Sequence, residues 1–565
     1  MTPHFLAILL SVSCLGAAAT AAAQTPPRLI LQITVDQLRG DMLARYGSRF
    51  GDGGLALLME RGHSFADAVH AHSNTETIVG HATLATGADP SVHGMIGNVW
   101  FDRGSGDLHY NIEDAQYPLV GNDSGGAPPD LARRVAGTSG RSPRAMLART
   151  FADALAAGFG GRSRIFAVSI KDRGAVPMAG HAGKAMWLST NSGEFVSSAF
   201  YYRELPSWVR DWNGHRKADA YDGRPWELLH DLSTYRHGER DDAPWEIAPQ
   251  GFGRAFPHMR SRQAQQDSFY SVLVATPAGD ELLADFARTL LDEEDLGEDE
   301  VPDYLSVSFS SHDYVGHLFG PESVEAEDEL LRLDRTLAAL LAYVDEEVGL
   351  QHTLIVLSSD HGAAEPPVQL TARGTPASTI VLGEFARSAP VQKLEKRYRM
   401  KKPLIRAGWP PYLYLDRQAL LASGVDPARA QRELAAELCK IEGITAVVPA
   451  ADLLSRAPET PLIDKLRRNF HVQRSGDLHV VADPNWQLLD REEARLSIAT
   501  IHGSPWRYDS WVPLIFMGPG IAAGTTSEPV RTTDIAPTMS ALLGVKPPSR
   551  ATGKDLSPLL RQMGS

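Results

Sequence analysis

Runs of Val, Ile and Leu long enough for buried strands alternate along this chain with amphipathic stretches of helical period. The strand-like runs are 29–35, 164–170, 304–309, 353–357 and 512–517, apolar at most positions, as in strands covered on both faces. The clearest helical stretch is 323–348, where Leu330, Leu331, Leu333, Leu337, Leu340, Leu341 and Val344 recur at helical spacing behind an acidic first turn. Such alternation predicts an α/β fold with a largely parallel central sheet flanked by helices.

Two stretches break the rhythm. Residues 189–266 are rich in Trp, Tyr, Arg and Gly with little periodicity, and residues 369–493 hold a helical piece at 427–441 followed by strand-like segments. Both read as insertions capping the sheet within one catalytic domain, residues 24–565.

The one long apolar run, residues 5–23, softens from Leu and Ile to Ala and ends in Ala21-Ala22-Ala23 before Gln24. It reads as a cleavable signal peptide, too short and Ala-rich to span a bilayer, and implies a periplasmic or secreted protein without stable membrane insertion. A lipoprotein modified at Cys14 fits less well, because Ser11-Val12-Ser13 is a poor approach to a lipidation site. Cleavage removes Cys14 and leaves Cys439 alone, so no intrachain disulfide is expected.

Composition narrows the function classes. Of 565 residues 43% are hydrophobic and 22% charged, which places the chain among globular proteins and outside disordered, collagen-like or coiled-coil classes. A net charge of −14, from 55 Lys+Arg against 69 Asp+Glu, argues against holding nucleic acid along a basic surface. Any anionic substrate must therefore meet positive charge locally.

In open α/β sheets ligands bind at the carboxyl ends of strands, so the residues following each run carry the chemistry. The first run ends at Asp36, the third leads into Ser310-Ser311-His312-Asp313 with His317 after it, and the fourth ends in Asp360-His361-Gly362. His502 stands shortly before the last run. Singly, each Asp reads as a helix cap or turn former. Together, three strand ends presenting carboxylate or imidazole point to a metal site. Without thiolate the set suits zinc or manganese, and the number of ligands suggests two ions in one pocket.

Two more clusters bear on the substrate. In the segment 73–87, Gly80, Ala82 and Ala85 would let a helix start close to a strand end, with Thr77 at or near its N-terminus, where backbone N–H groups favour an anion. Thr75 or Thr77 could merely cap that helix; beside a metal, Thr77 could instead be a nucleophile. Lys171-Asp172-Arg173 follows the second run and is either a solvated charge cluster or a grip on a tetrahedral oxyanion.

In this order the motifs resemble the alkaline phosphatase superfamily, in its branch of phosphatases with a threonine nucleophile (the PafA type), related to the nucleotide pyrophosphatase/phosphodiesterases. They are Thr34-Val35-Asp36, Thr75-Glu76-Thr77-Ile78-Val79-Gly80-His81, His93-Gly94-Met95-Ile96-Gly97-Asn98, Lys171-Asp172-Arg173, Asp313 to His317, Ser359-Asp360-His361-Gly362, His502-Gly503 and Thr533-Asp534-Ile535-Ala536-Pro537. The resemblance covers nearly the whole mature chain. It implies one zinc held by Asp313, His317 and His502, and a second held by Asp36, Asp360, His361 and the Thr77 oxygen. Thr77 would be the nucleophile, with Asn98, Lys171 and Arg173 contacting the phosphoryl oxygens. Ile78 departs from the aromatic residue that many relatives carry there, a difference bearing on the leaving-group side.

The expected function is therefore hydrolysis of small phosphate monoesters through a phosphothreonine intermediate, with two Zn2+ per chain and no nucleic-acid partner. The oligomeric state is open, and a monomer is consistent with the sequence. The rival is a diester hydrolase of the nucleotide pyrophosphatase type. A monoester has one more anionic oxygen to neutralise, and the diesterase relatives lack the Lys171/Arg173 pair. A sulfatase is disfavoured because Thr77-Ile78-Val79-Gly80-His81, and not a Cys/Ser-x-Pro-x-Arg motif, stands at the expected nucleophile, and a binding protein without turnover because Thr77 and every expected ligand are present.

Overall fold

The strands that run from 29, 165, 184, 303 and 353 form the parallel heart of a ten-stranded sheet. The computed structural model describes residues 26–123, 132–265, 268–455 and 460–561; the leader expected at 1–23 lies outside them. Strands β1 (Leu29–Val35), β2 (Ile165–Ser169), β3 (Lys184–Leu188), β4 (Asp303–Phe309) and β5 (Thr353–Ser358) lie side by side in the order β5-β1-β4-β2-β3. Neighbours are parallel, with Thr34 opposite both Ser308 and Ser358.

Alternate residues of these strands enter different cores. Leu29, Leu31, Ile33 and Val35 of β1 join Leu305, Val307 and Phe309 in one apolar cluster. Ile30 faces the other, with Ile165, Ala167 and Tyr304. On the first face lies helix α4 (Val324–Glu347), whose leucines 330, 333, 337, 340 and 341 are all buried. Each fully buried leucine contributes about 1.5–3 kcal/mol, enough in sum to hold the helix to the sheet. Its start is set by Ser323, whose Oγ accepts from the Ala326 N–H at 3.0 Å. On the second face lie helices α1 (Thr77–Thr86) and α2 (Asp172–Ala179). Helix α3 (Ser311–Phe319) follows β4. The chain thus has the α/β architecture, with a largely parallel central sheet flanked by helices, that its pattern implied.

The last apolar run differs from its expectation. It splits at Pro513: Trp511–Val512 pairs with Ala68–Val69 in a small separate sheet, and Leu514–Met517 joins β5 in the antiparallel sense. Proline lacks the N–H that a continuous ladder needs, which accounts for the break.

Residues 378–490 carry a four-stranded sheet, ordered Ile405–Trp409, Tyr412–Leu415, Leu478–Ala482, Ile444–Pro449. Helices Ala389–Tyr398 and Pro427–Leu438 pack on it with an apolar cluster of their own. Between Ser207 and Gln265 the chain forms short helices and single turns around Trp226, Phe252 and Tyr235. They are tied to α4, where the Trp226 indole donates to Asp328 at 2.6 Å.

Candidate metal centre

The acidic and imidazole side chains singled out above gather at the carboxyl edge of the parallel strands. Asp36 directly follows β1, its N–H donating to the Phe309 carbonyl at the end of β4 (2.9 Å). Asp360 and His361 follow β5. Asp313 and His317 lie four residues apart on α3, on one helix face. His502 enters from the loop before Leu514–Met517. Because that strand is antiparallel to β5, the chain approaches it from the carboxyl edge of the parallel strands.

The side chains converge closely. Among the described residues two groups have ligand atoms within 4.8 Å of one another: Asp313, His317 and His502, and Asp36, Asp313 and His361. His317 Nε2 is 3.2 Å and His502 Nε2 3.6 Å from Asp313 Oδ1, and His361 Nε2 is 3.3 Å from Asp36 Oδ1. Asp360 Oδ2 lies 3.4 Å from His361 Nε2. Asp313 thus stands between both halves of the cluster.

The three imidazoles share one arrangement. His317 Nδ1 meets the Thr500 carbonyl at 2.8 Å, His502 Nδ1 the Thr75 carbonyl at 2.7 Å, and His361 Nδ1 the Gly362 carbonyl at 3.0 Å. A carbonyl only accepts, so Nδ1 carries the proton and Nε2 presents its lone pair to the cluster, as metal-bound histidines do. The buried His361 Nε2 and Thr77 Oγ1 have no hydrogen-bond partner. Such atoms are costly to bury unless something is bound to them, so the donor set fits metal.

The electrostatics also call for cations. Burial and Asp313 push the Asp36 carboxyl up, but Lys171 and His361 outweigh them and hold it well below the usual range. Burial opposes charge on His361, yet Asp360 and Asp36 raise it to about 9, so these carboxylates favour a positive charge at Nε2, whether a proton or a metal ion. Burial, His361 and His317 push His502 far down; the His361 and His502 rings stack at 3.5 Å. Three buried carboxylates therefore draw positive charge from every side.

Thr77 is the first residue of α1, and the N-cap is Glu76. Thr77 is thus no capping residue. Glycine at position 80 brings the helix against the backbone of Asp360. Asn98 Oδ1 accepts the Ile78 N–H at 3.2 Å, and its own N–H donates to Glu76 Oε2 at 2.8 Å; this orientation leaves Nδ2 to donate. Ile78 is fully buried in the core and does not line the cavity.

Lys171, Asp172 and Arg173 are only 3%, 2% and 5% exposed, so they are no solvated surface cluster. Lys171 Nζ is 2.6 Å from Asp36 Oδ2 and also bonds Asp313. Burial disfavours its charge, but Asp313 and Asp36 keep it protonated far above neutrality. Asp172 points the other way, accepting from Tyr110 Oη and Arg141 Nε at 2.6 Å each. It anchors the turn that lets Arg173 line the cavity.

Three participants escaped the reading of the sequence. Gln37, at φ 70°, a region that costs a non-glycine residue energy, donates from its backbone to Asp360 Oδ1 (3.2 Å) and from its side chain to Asp313 Oδ1 (2.8 Å). His81 Nδ1 lies 2.9 Å from the Thr77 carbonyl and 3.2 Å from Asp360 Oδ2, and its Nε2 meets Ser308 Oγ at 2.8 Å. Thr500 supplies the carbonyl that orients His317. Of these only His81 carries a signal in the sequence, its position four residues after Thr77 on the same helix face.

Asn98, Arg173, Asp313, His317 and His502 also line the end of a cavity of about 460 Å³. The family model for type I phosphodiesterase / nucleotide pyrophosphatase matches residues 30–505. This chain belongs to that family. As a member of the type I phosphodiesterase / nucleotide pyrophosphatase family it is 32% identical to alkaline phosphatase PhoV of Synechococcus elongatus, over 95% of this chain and 93% of that one. It is 31% identical to alkaline phosphatase PafA of Elizabethkingia meningoseptica, over 99% and 100%. The crystal structure of wild-type PafA superposes with a TM-score of 0.86 at 30% identity, covering 95% of this chain and 99% of that one. Murine ectonucleotide pyrophosphatase / phosphodiesterase 5 shares the fold, with a TM-score of 0.50 at 13% identity over 92% and 95% of the two chains.

Proposed function

We propose that this phosphatase of the alkaline phosphatase superfamily, with its metal cofactor, hydrolyses phosphate monoesters at a two-zinc site through a phosphothreonine intermediate. The observation that carries the reading is Thr77 Oγ1: fully buried at a helix N-terminus, without a hydrogen-bond partner, on a helix seated against Asp360. Asp313, His317 and His502 would hold one zinc, and Asp36, Asp360, His361 and Thr77 the other; Asp313 lies close enough to serve the second group as well. Bound there, zinc supplies a lowered pKa to hydroxyl and water and neutralises charge on the leaving oxygen.

The chain's own groups do the rest. Thr77 attacks phosphorus in line, and the departing alcohol leaves on the opposite side. Arg173 as a planar fork, Lys171 as a point charge and Asn98 through Nδ2 bind the non-bridging oxygens where charge is redistributed. Gln37 and His81 keep Asp313, Asp360 and the Thr77 turn in register. Water then cleaves the phosphothreonine, giving inorganic phosphate.

The basic pair favours a monoesterase over the diesterase alternative, because it matches the additional charge of a monoester dianion. The segments 189–266 and 369–493 would act as caps, since Ile247, Pro249, Trp409 and Leu488 all line the cavity. Export to the periplasm or medium rests on the leader-like residues 1–23; among the described residues no helix is long and apolar enough to cross a membrane. The test is catalytic efficiency of the zinc-loaded protein on an aryl phosphate, its methyl diester and the matching sulfate. The monoester should lead, and a preference for the diester would overturn the assignment.

A further inference from the structure

The cavity over the metal centre is chemically two-sided. At one end stand Asn98, Arg173, Asp313, His317 and His502. Beside them the walls include apolar side chains from both inserted segments: Ile247 and Pro249 from the first, Trp409, Trp486, Leu488 and Ile498 from the second and its continuation. Several of these side chains, including Ile247, Leu488 and Ile498, are only half-buried, so their free faces await a partner.

Many of the polar groups among these walls are already used by the protein, with buried His479 Nδ1 and Asp509 Oδ1 the described lining atoms left without a partner. Ser268 Oγ donates to the Gln265 carbonyl at 2.6 Å, Ser271 Oγ to the Thr190 carbonyl at 3.1 Å, and Gln487 Nε2 to Thr500 Oγ1 at 2.6 Å. Asp509 accepts the Ser504 N–H at 2.8 Å, and Asp490 pairs with Arg491 at 3.0 Å. Among the described lining residues Arg134 is the one Lys or Arg besides Arg173. A sugar or nucleoside entering here would give up hydrogen bonds to water with little in return, whereas an alkyl chain or aromatic ring would only lose contact with water. A volume of about 460 Å³ lies within the range of small-molecule pockets.

We propose that these walls form a leaving-group pocket for apolar alcohols, so that the preferred substrates are phosphate monoesters of alkyl or aryl groups several carbons in size rather than of sugars or nucleosides. This rests on the phosphomonoesterase reading above.

The n-alkyl phosphates from ethyl to octyl test it, because their leaving alcohols differ little in intrinsic reactivity and chain length reads burial alone. On the zinc-loaded protein kcat/KM should rise about two- to fourfold per methylene over the first several carbons and then level. Glucose 6-phosphate and adenosine 5′-monophosphate should fall below hexyl phosphate, and Ile247→Asn and Leu488→Asn should each reduce the rise per methylene. Binding of n-alkylphosphonates, followed through Trp409 and Trp486 fluorescence, should tighten along the same series. A flat series with ethyl phosphate still hydrolysed overturns this inference and leaves the phosphomonoesterase reading standing. Failure to release phosphate from any monoester overturns that reading, and the phosphonate series then decides the pocket by itself.

Discussion

Gly80 lies so close to Asp360 that a Cβ on it would stand 2.1 Å from the Asp360 carbonyl oxygen. The helix that starts with Thr77 is thereby seated directly on the turn that supplies Asp360 and His361. Gly80→Ala should push the two apart, destabilising the fold by about 1–3 kcal/mol as overpacked sites do and lowering kcat by moving Thr77. Urea denaturation and steady-state kinetics check this, and a variant unchanged in both would show that the contact yields freely.

Thr77→Ala should abolish turnover while folding and metal content largely persist, since in the proposed mechanism the hydroxyl is one ligand among several but the only nucleophile. Acid quench with labelled substrate should find phosphate on Thr77 in the wild type. Label on any other residue refutes the assignment.

Asp360→Ala and His361→Ala should each lose one of the two zinc ions proposed per chain. Elemental analysis of the purified variants reads this directly, and full occupancy would remove these residues from the ligand set.

Lys171→Ala and Arg173→Ala separate the two candidate functions. A monoester dianion has three non-bridging oxygens and a methyl diester has two with less charge, so each variant should lose more on the monoester. Charge-assisted contacts contribute on the order of 1.5–3 kcal/mol, roughly ten- to a hundredfold per residue. Assays of an aryl monoester and its methyl diester at saturating zinc give the ratio of efficiencies. If that ratio keeps its wild-type value in both variants, monoester preference has another source.

Glu246 provides a pH test of stability. Burial, and next the charge of Glu325, push its carboxyl up from 4.5 to about 9. Between those values the folded protein keeps a proton that the unfolded chain has lost, so stability falls as pH rises through that window. Glu246→Gln has no such proton, and its melting temperature should decline less from pH 5 to pH 9.5. Parallel thermal profiles for wild type and variant would contradict the shift.

What could be read from the sequence was whatever depends on neighbours along the chain. The β1 run, 29–35, is apolar at most positions because both its faces are covered, and it ends at Asp36 because the parallel edge opens to the site. Asp313 and His317 are four apart, so any helix there puts them on one face, and the leucines of 323–348 mark a face by their period alone. The motif Thr75-Glu76-Thr77 to His81, read with the strand ends, sufficed to suggest the chemistry. Other features depend on residues hundreds of positions apart. Nothing local reverses the strand Leu514–Met517, yet its antiparallel direction delivers His502 to the ligands. The carbonyls of Thr75 and Thr500 select the imidazole tautomers, Gln37 takes a left-handed conformation to bridge Asp313 and Asp360, and Asp313 stands between two ligand groups. The cavity draws walls from two segments, 189–266 and 369–493, with little periodicity of their own. Long-range contacts leave no period in the sequence, because each needs one residue of the right kind at one place and the fold supplies the meeting.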